Sequence, residues 1–185
     1  MSFINLFAPK KNEELQKVIE LRKQNPNTKI HDYVQIANTN LVSIGPRTKI
    51  NRGVHLFAYG KNDSNKAGEI IIGENCLVSN DTKIFAGRGS VLIGDHVEIG
   101  MNCFISAQRR IKSRKVLDDA SAIETLVTEI GDECMFASGC FIVEGSKLGN
   151  RCIVAAGAIV SGTFGDDLLL VGNPARPIPQ KKNIS

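Results

Sequence analysis

"EIGDECMFASGCFIVEGSKLGNRCIVAAGAIVSGTF", residues 129–164, advances in steps of six. Ile130, Phe136, Ile142, Leu148, Val154 and Val160 are bulky and apolar, and nothing between them breaks the interval. Such a step suits neither a helix of 3.6 residues per turn nor a strand alternating between hairpins. Repeats this short predict a parallel β-helix, in which each hexad forms one face of a coil and three hexads close a turn.

Outward from this stretch the same step recurs at Ile44, Ile50 and Leu56, at Ile72, Val78 and Ile84, and at Ile93, Ile99 and Ile105. Fifteen steps in all predict about five coils, stacked at the ordinary strand spacing of roughly 4.8 Å. The next residue is Gly at positions 45, 73, 94, 100, 131 and 149, and Ser or Ala at Ser79, Ser106, Ala137, Ala155 and Ser161. Four residues after the step stand Thr48, Val54, Cys76, Thr82, Val97, Cys103, Cys134, Cys140, Ser146, Cys152 and Ala158. All are small, as a crowded interior requires. The exceptions, Gly60, Arg88 and Arg109, fall where the repeat is interrupted. All five cysteines share the inward phase, which predicts packing as small hydrophobes rather than disulfides or a metal centre.

Grouped in threes from Ile44, the steps are interrupted only after a third member: at 58–68, 86–92 and 107–127. The three excursions therefore leave from one vertical edge of a three-sided column. The longest contains Arg109, Arg110, Lys112, Arg114 and Lys115, together with Asp118, Asp119 and Glu124. A loop held at both ends by a rigid repeat is where sites tend to be built; the plainer alternative is an edge that tolerates insertions.

Three segments follow: a helix and lead-in over 1–35, the β-helix over 36–164, and a C-terminal segment over 165–185. "KNEELQKVIELRKQ" (11–24) predicts a helix with Asn12 as N-cap, Glu13 and Glu14 at its positive end, and an apolar stripe of Leu15, Val18 and Ile19. Asn25-Pro26 ends it, and the helix is expected to cover the first coil, whose open end invites edge pairing. The chain has no Trp and a net charge of +4, short of a nucleic-acid signature. It has no apolar run long enough to cross a bilayer and no secretion signal, so a cytoplasmic location is expected.

In the opening stretch, in "IGDHVEIGMNCFIS" (93–106) and in "LLLVGNPARPI" (168–178), the sequence resembles the hexapeptide-repeat acyltransferases. The closing "VGNPARPI" is similar to the ending of sugar and polysaccharide acetyltransferases. The resemblance implies a left-handed coil, a homotrimer, and acetyl-CoA lying in a groove between neighbouring prisms. It implies donor contacts from Ser138, Gly139, Ala155, Ala156, Gly157, Asn173, Ala175, Arg176 and Lys181. The plain alternative is that the small residues belong to the lattice and Arg176 to a solvated surface.

In the sugar-acetylating relatives a loop His serves as general base. That position falls at or near Arg110 here, and no His occurs between 97 and 185. The substitutes are His55, Asp118 and Glu124, while His31 lies in the lead-in and His96 in a turn. An amine acceptor tolerates the loss better than an alcohol, because its lone pair is free to attack. Arg109, Arg110, Lys112 and Arg114 are then the expected contacts to a nucleotide-sugar diphosphate or an acidic glycan.

The reading is an acetyl-CoA-dependent acetyltransferase acting on a sugar, nucleotide-sugar or surface polysaccharide precursor. The alternative is an inactive β-helix scaffold or glycan-binding protein. No metal is expected: a carbonic anhydrase of this architecture needs three His ligands, and none of the three here is suitably placed.

Overall fold

The computed structural model describes residues 11–59, 68–110 and 123–180. They form a left-handed parallel β-helix, a three-sided column of short strands. The first face runs through Ile30, Ile50, Val78, Ile99, Phe136, Val154 and Leu170, each in register with the next. The second runs through Ile36, Leu56, Ile84, Ile105, Ile142 and Val160. The third runs through Ile44, Ile72, Ile93, Ile130, Leu148 and Phe164. Every side chain of the first two ladders is buried, and each fully buried Ile or Leu contributes on the order of 2 kcal/mol. Two-residue strands accumulate little of the twist that ordinarily enforces a right-handed crossover.

Among the described residues the column has six full coils and the first strand of a seventh, where the six-residue step predicts five. The added coil at the bottom starts at Ile30, inside the segment read as lead-in, and continues through Ile36 to Ile44. Its step from Ile36 to Ile44 spans eight residues because Thr39–Leu41 makes a 3₁₀ turn, so the interval hides it. At the top, Phe164 follows Val160 by only four residues.

The small inward positions do more than save space. Thr48 and Thr82 donate through Oγ1 to the carbonyls of Gly73 and Gly100, at 2.7 and 2.8 Å, on the coil above. Cys76, Cys103, Cys134, Cys140 and Cys152 direct their Sγ atoms in the same way at Gly94, Ala137, Gly149, Ala155 and Gly165, at 3.1–3.3 Å. Ser146 joins them through Val160. Cys, Thr and Ser interchange there because each is small and finds a carbonyl on the next coil, while Val54, Val97 and Ala158 meet the size requirement alone. Burial pushes the thiols of Cys76, Cys134 and Cys152 up, that of Cys134 to about 12, leaving them poor nucleophiles.

The helix Lys11–Gln24 closes the lower end. It begins at Lys11, so Asn12 lies inside it rather than at its cap. Val18 and Leu21 are buried, whereas Leu15 of the expected stripe is 37% exposed. The helix meets the open edge of the first coil at one point on each face. Arg22 Nε donates to the Ile30 carbonyl at 3.0 Å, and Lys17 Nζ to the Ile36 carbonyl at 3.1 Å. The Ile44 N–H donates to Asn25 Oδ1 at 2.7 Å. At the upper end Leu168–Gly172 turns back through Asn173-Pro174 into the antiparallel strand Ala175–Pro179. Pro177 and Pro179 lack the N–H that further pairing needs. No helix among the described residues is long and apolar enough to cross a membrane.

Candidate functional site

Each coil turns three corners, and the chemistry-bearing residues divide among them. All three excursions leave the corner between the second and third faces: after His55–Ala58, after Lys83–Gly87 and after Phe104–Ser106. The long excursion starts as a hairpin arm, Gln108–Arg110 paired antiparallel with Ile123–Thr125. Its root is pinned to the column, because the Leu126 N–H donates to the Ala107 carbonyl at 2.9 Å and the Ser90 N–H to Leu126 at 3.0 Å. The Gln108 side chain folds down over Gly87 and accepts the Arg88 N–H at 2.8 Å.

Two of the sequence candidates meet on this arm. Arg109 Nε lies 2.7 Å from Glu124 Oε2, and its other guanidinium nitrogen lies 3.9 Å from Glu144 Oε1. The guanidinium expected to bind the acceptor and the carboxylate expected to act as base are thus partners. Glu144 was not foreseen. Its side chain is 13% exposed, in the turn Val143-Glu144-Gly145 one coil above the arm. In the sequence it reads as one more turn residue, like Glu74, Asp95 or Glu133 between other steps, and no signal sets it apart. Lys112, Arg114, Asp118 and Lys181 lie outside the described residues, as does the side chain of Arg110.

His55 stands elsewhere, on the outer side of the second face two coils below the arm, edge-on to Phe57 at 5.3 Å between ring centroids. Burial and the neighbouring Lys83 charge lower its pKa, so its neutral form prevails at neutral pH. His96 occupies a left-handed turn position with φ 58°, and His31 lies on the first coil against Tyr33.

The expected donor residues lie on a different corner, between the first and second faces. Ser138-Gly139 and Ala156-Gly157 stack there, the Gly157 N–H donating to the Ser138 carbonyl at 3.1 Å. Both glycines have positive φ, 75° and 67°, and a Cβ at Gly157 would meet nothing within 4 Å. This corner is backbone without cover. Asn173, Ala175 and Arg176 belong to the hairpin above it, where Ala175 is buried and Arg176 exposed.

The second face separates this bare corner from the arm. Phe104, Phe141 and Ile159 rise along its outer side, half-buried, with Phe104 and Phe141 at 5.2 Å between centroids. Within one chain the arm and the bare corner sit at opposite margins of that face. Among the described residues no group of three or more His, Cys, Asp or Glu is arranged to hold a metal ion.

No family model matches the chain. Over 151 residues it is 24% identical to WbbJ of Escherichia coli K12, named as a lipopolysaccharide biosynthesis O-acetyl transferase, covering 77% of this chain and 74% of that protein. Over 94 residues it is 28% identical to YvoF of Bacillus subtilis 168, named as an acetyltransferase, covering 51% of this chain and 54% of that one. A variant of AntD, an N-acyltransferase from Bacillus cereus, solved with dTDP and Coenzyme A, has a TM-score of 0.72 at 18% identity over 89% of both chains. A variant of perosamine N-acetyltransferase from Caulobacter crescentus, solved with CoA and GDP-perosamine, has a TM-score of 0.57 at 16% identity, covering 83% of this chain and 57% of that one. At these identities the structural likeness is one of fold.

Proposed function

We propose that this chain is a hexapeptide-repeat acyltransferase, moving an acetyl group from acetyl-CoA to a sugar, nucleotide-sugar or polysaccharide precursor. The observation that carries the reading is the bare corner at Ser138-Gly139 and Ala156-Gly157, facing the arm across an apolar strip. A thioester arm approaches backbone amides only where side chains are missing, and here none stands within 4 Å of the place a Gly157 Cβ would take. The names of the curated relatives and the CoA held by the structural neighbours point the same way.

Because the two halves lie at opposite margins of one face, the site is complete only when a second copy brings its arm to the first copy's bare corner. Three copies arranged in a closed ring satisfy every such corner, and Phe104, Phe141 and Ile159 then pack between prisms. Arg176, exposed above the corner, meets the nucleotide phosphates of CoA. The acceptor nitrogen or oxygen attacks the thioester carbon, the C–S bond breaks, and CoA leaves as the thiol after taking up the proton the acceptor loses. Glu144 is the carboxylate best sheltered to pass that proton, and Arg109 with Glu124 holds it in place.

Calorimetry with CoA, followed by release of free thiol from acetyl-CoA with and without amino-sugar acceptors, tests this. Saturable binding and acceptor-dependent release are expected. Glu144→Gln is expected to lower kcat by ~100-fold while leaving CoA binding unchanged. Absence of any CoA heat leaves the inactive scaffold as the reading.

A further inference from the structure

Two lysines stand one above the other at the foot of the first face. Lys29 and Lys49 precede the buried Ile30 and Ile50 and pair in register on adjacent parallel strands, one strand spacing of roughly 4.8 Å apart on the outer side. Like charges directly opposite one another cost stability. Where the third face sets charges in the same relation, Glu129 and Lys147, they are opposite in sign and meet at 2.6 Å. Among the described residues neither Lys29 nor Lys49 has an acid partner. The acids of the flanking turns, Asp32 and Glu74, are taken by Arg22 and Arg47, each at 2.7 Å. Residues 1–10 contain no Asp or Glu, and the excursions carrying Asp63, Asp118 and Asp119 leave from the corner opposite this face.

The pair borders a cavity of about 390 Å³ between the end of the helix and the first two coils. Asn51, His31 and Arg22 also line it. His31 accepts the Tyr33 N–H at Nδ1, at 3.2 Å, which leaves the proton of the neutral ring on Nε2 as a donor. The Arg22 guanidinium is fixed by the Ile30 carbonyl and by Asp32. Asp32 is the one lining carboxylate among the described residues, and its charge is spent on Arg22. Lys29 and Lys49 therefore leave two positive charges uncompensated on the cavity wall. A carboxylate supplies one negative charge. A phosphate near neutral pH supplies nearly two on one small group, with oxygens enough for both ammonium groups and a neutral donor.

We infer that this cavity binds a phosphate dianion, free or carried by a small solute, with Lys29 and Lys49 sharing its charge. Lys49 lies four coils below Ile153, hence about 19 Å below the level of the bare corner. The site is therefore separate from that corner and does not rest on the transferase reading.

The test is calorimetry of the full chain with inorganic phosphate, against sodium chloride of equal ionic strength. Saturable binding of phosphate and none of chloride is expected. Lys29→Gln and Lys49→Gln are each expected to weaken it ~5-fold or more, because each removes a charge-assisted donor. Lys23→Gln, the same charge change on the exposed helix surface, is expected to stay within about twofold of wild type. Lys49→Glu gives Lys29 the kind of partner Lys147 has in Glu129; it is expected to abolish phosphate binding and to raise Tm in phosphate-free buffer. A lysine that served packing alone would lower Tm on substitution and leave phosphate untouched. Glucose 6-phosphate is expected to compete for the site: tighter binding than phosphate identifies a phosphorylated sugar as the source, weaker binding the free ion, and either supports the inference. The inference falls if no saturable heat appears up to ~10 mM phosphate, if both glutamine variants bind as wild type does, if Lys23→Gln weakens binding equally, or if CoA displaces the phosphate.

Discussion

Two corners of the same column carry glycine, and the contrast between them separates scaffold from site. Between the third and first faces, Gly73, Gly94, Gly131 and Gly149 alternate with a ladder of side chains. Asp95, Asp132, Asn150 and Asp166 each accept, through Oδ1, the N–H one coil below at 2.8–2.9 Å. A Cβ at Gly94 would stand 2.2 Å from Asp132 Oδ1 and 2.9 Å from its backbone nitrogen. Between the first and second faces, Gly139 and Gly157 have positive φ but almost nothing around them. One corner uses glycine because the next coil is too close. On the other, Gly53 and Gly100 are pressed in the same way, and only Gly139 and Gly157, near its top, leave room for something the chain does not supply.

The largest expected effect breaks the sealed corner. Gly94→Ala forces Asp132 aside and strikes backbone, so a loss of about 3 kcal/mol is expected in denaturant melts. A loss under about 1 kcal/mol would show the ladder to be slack and the contrast unfounded.

Gly157→Ala sharpens the same comparison. The left-handed backbone there makes any side chain cost about 1 kcal/mol, so the fold is expected to persist with a modest fall in Tm. CoA affinity is expected to drop ~10-fold or more, because the new methyl occupies the bare corner. Equal stability losses at Gly94 and Gly157, with unchanged CoA binding, would erase the distinction.

The smallest effect concerns His55. Burial first, then the Lys83 charge, hold its folded pKa below the ordinary imidazole value of about 6.5. Above 6.5 both folded and unfolded forms are neutral and the group has no effect. As pH falls from there toward the folded pKa, the unfolded chain binds the proton more readily and stability declines. A slight acid-side loss is therefore expected in wild type and absent in His55→Asn.

Much of this architecture was legible because the core repeats a rule. Ile130 predicts Phe136, which predicts Ile142, and the structure stacks all three where the interval puts them. The first coil escaped because a 3₁₀ turn at Thr39–Leu41 lengthens one step, and a local turn leaves no mark on a hydrophobic interval. The three interruptions were readable, and the structure confirms that they share a corner. What the arm does with its charge was not readable. Arg109 and Glu124 lie fifteen residues apart and meet only because the arm folds back on itself. Glu144 reaches them from the next coil, a proximity that periodicity implies for Cα atoms but not for side chains. The bare corner came from family resemblance; no interval in the sequence distinguishes a glycine pressed by its neighbour from one facing open space.

The inward thiols have a last consequence. Cys76 enters the third coil, Cys103 lies in the fourth, Cys134 and Cys140 in the fifth and Cys152 at the sixth, all buried and unbridged. An alkylating reagent reaches each of them only when its own coil parts from the next. The order and rates of their modification under native conditions therefore time the breathing of the column, and tell from which end it unzips.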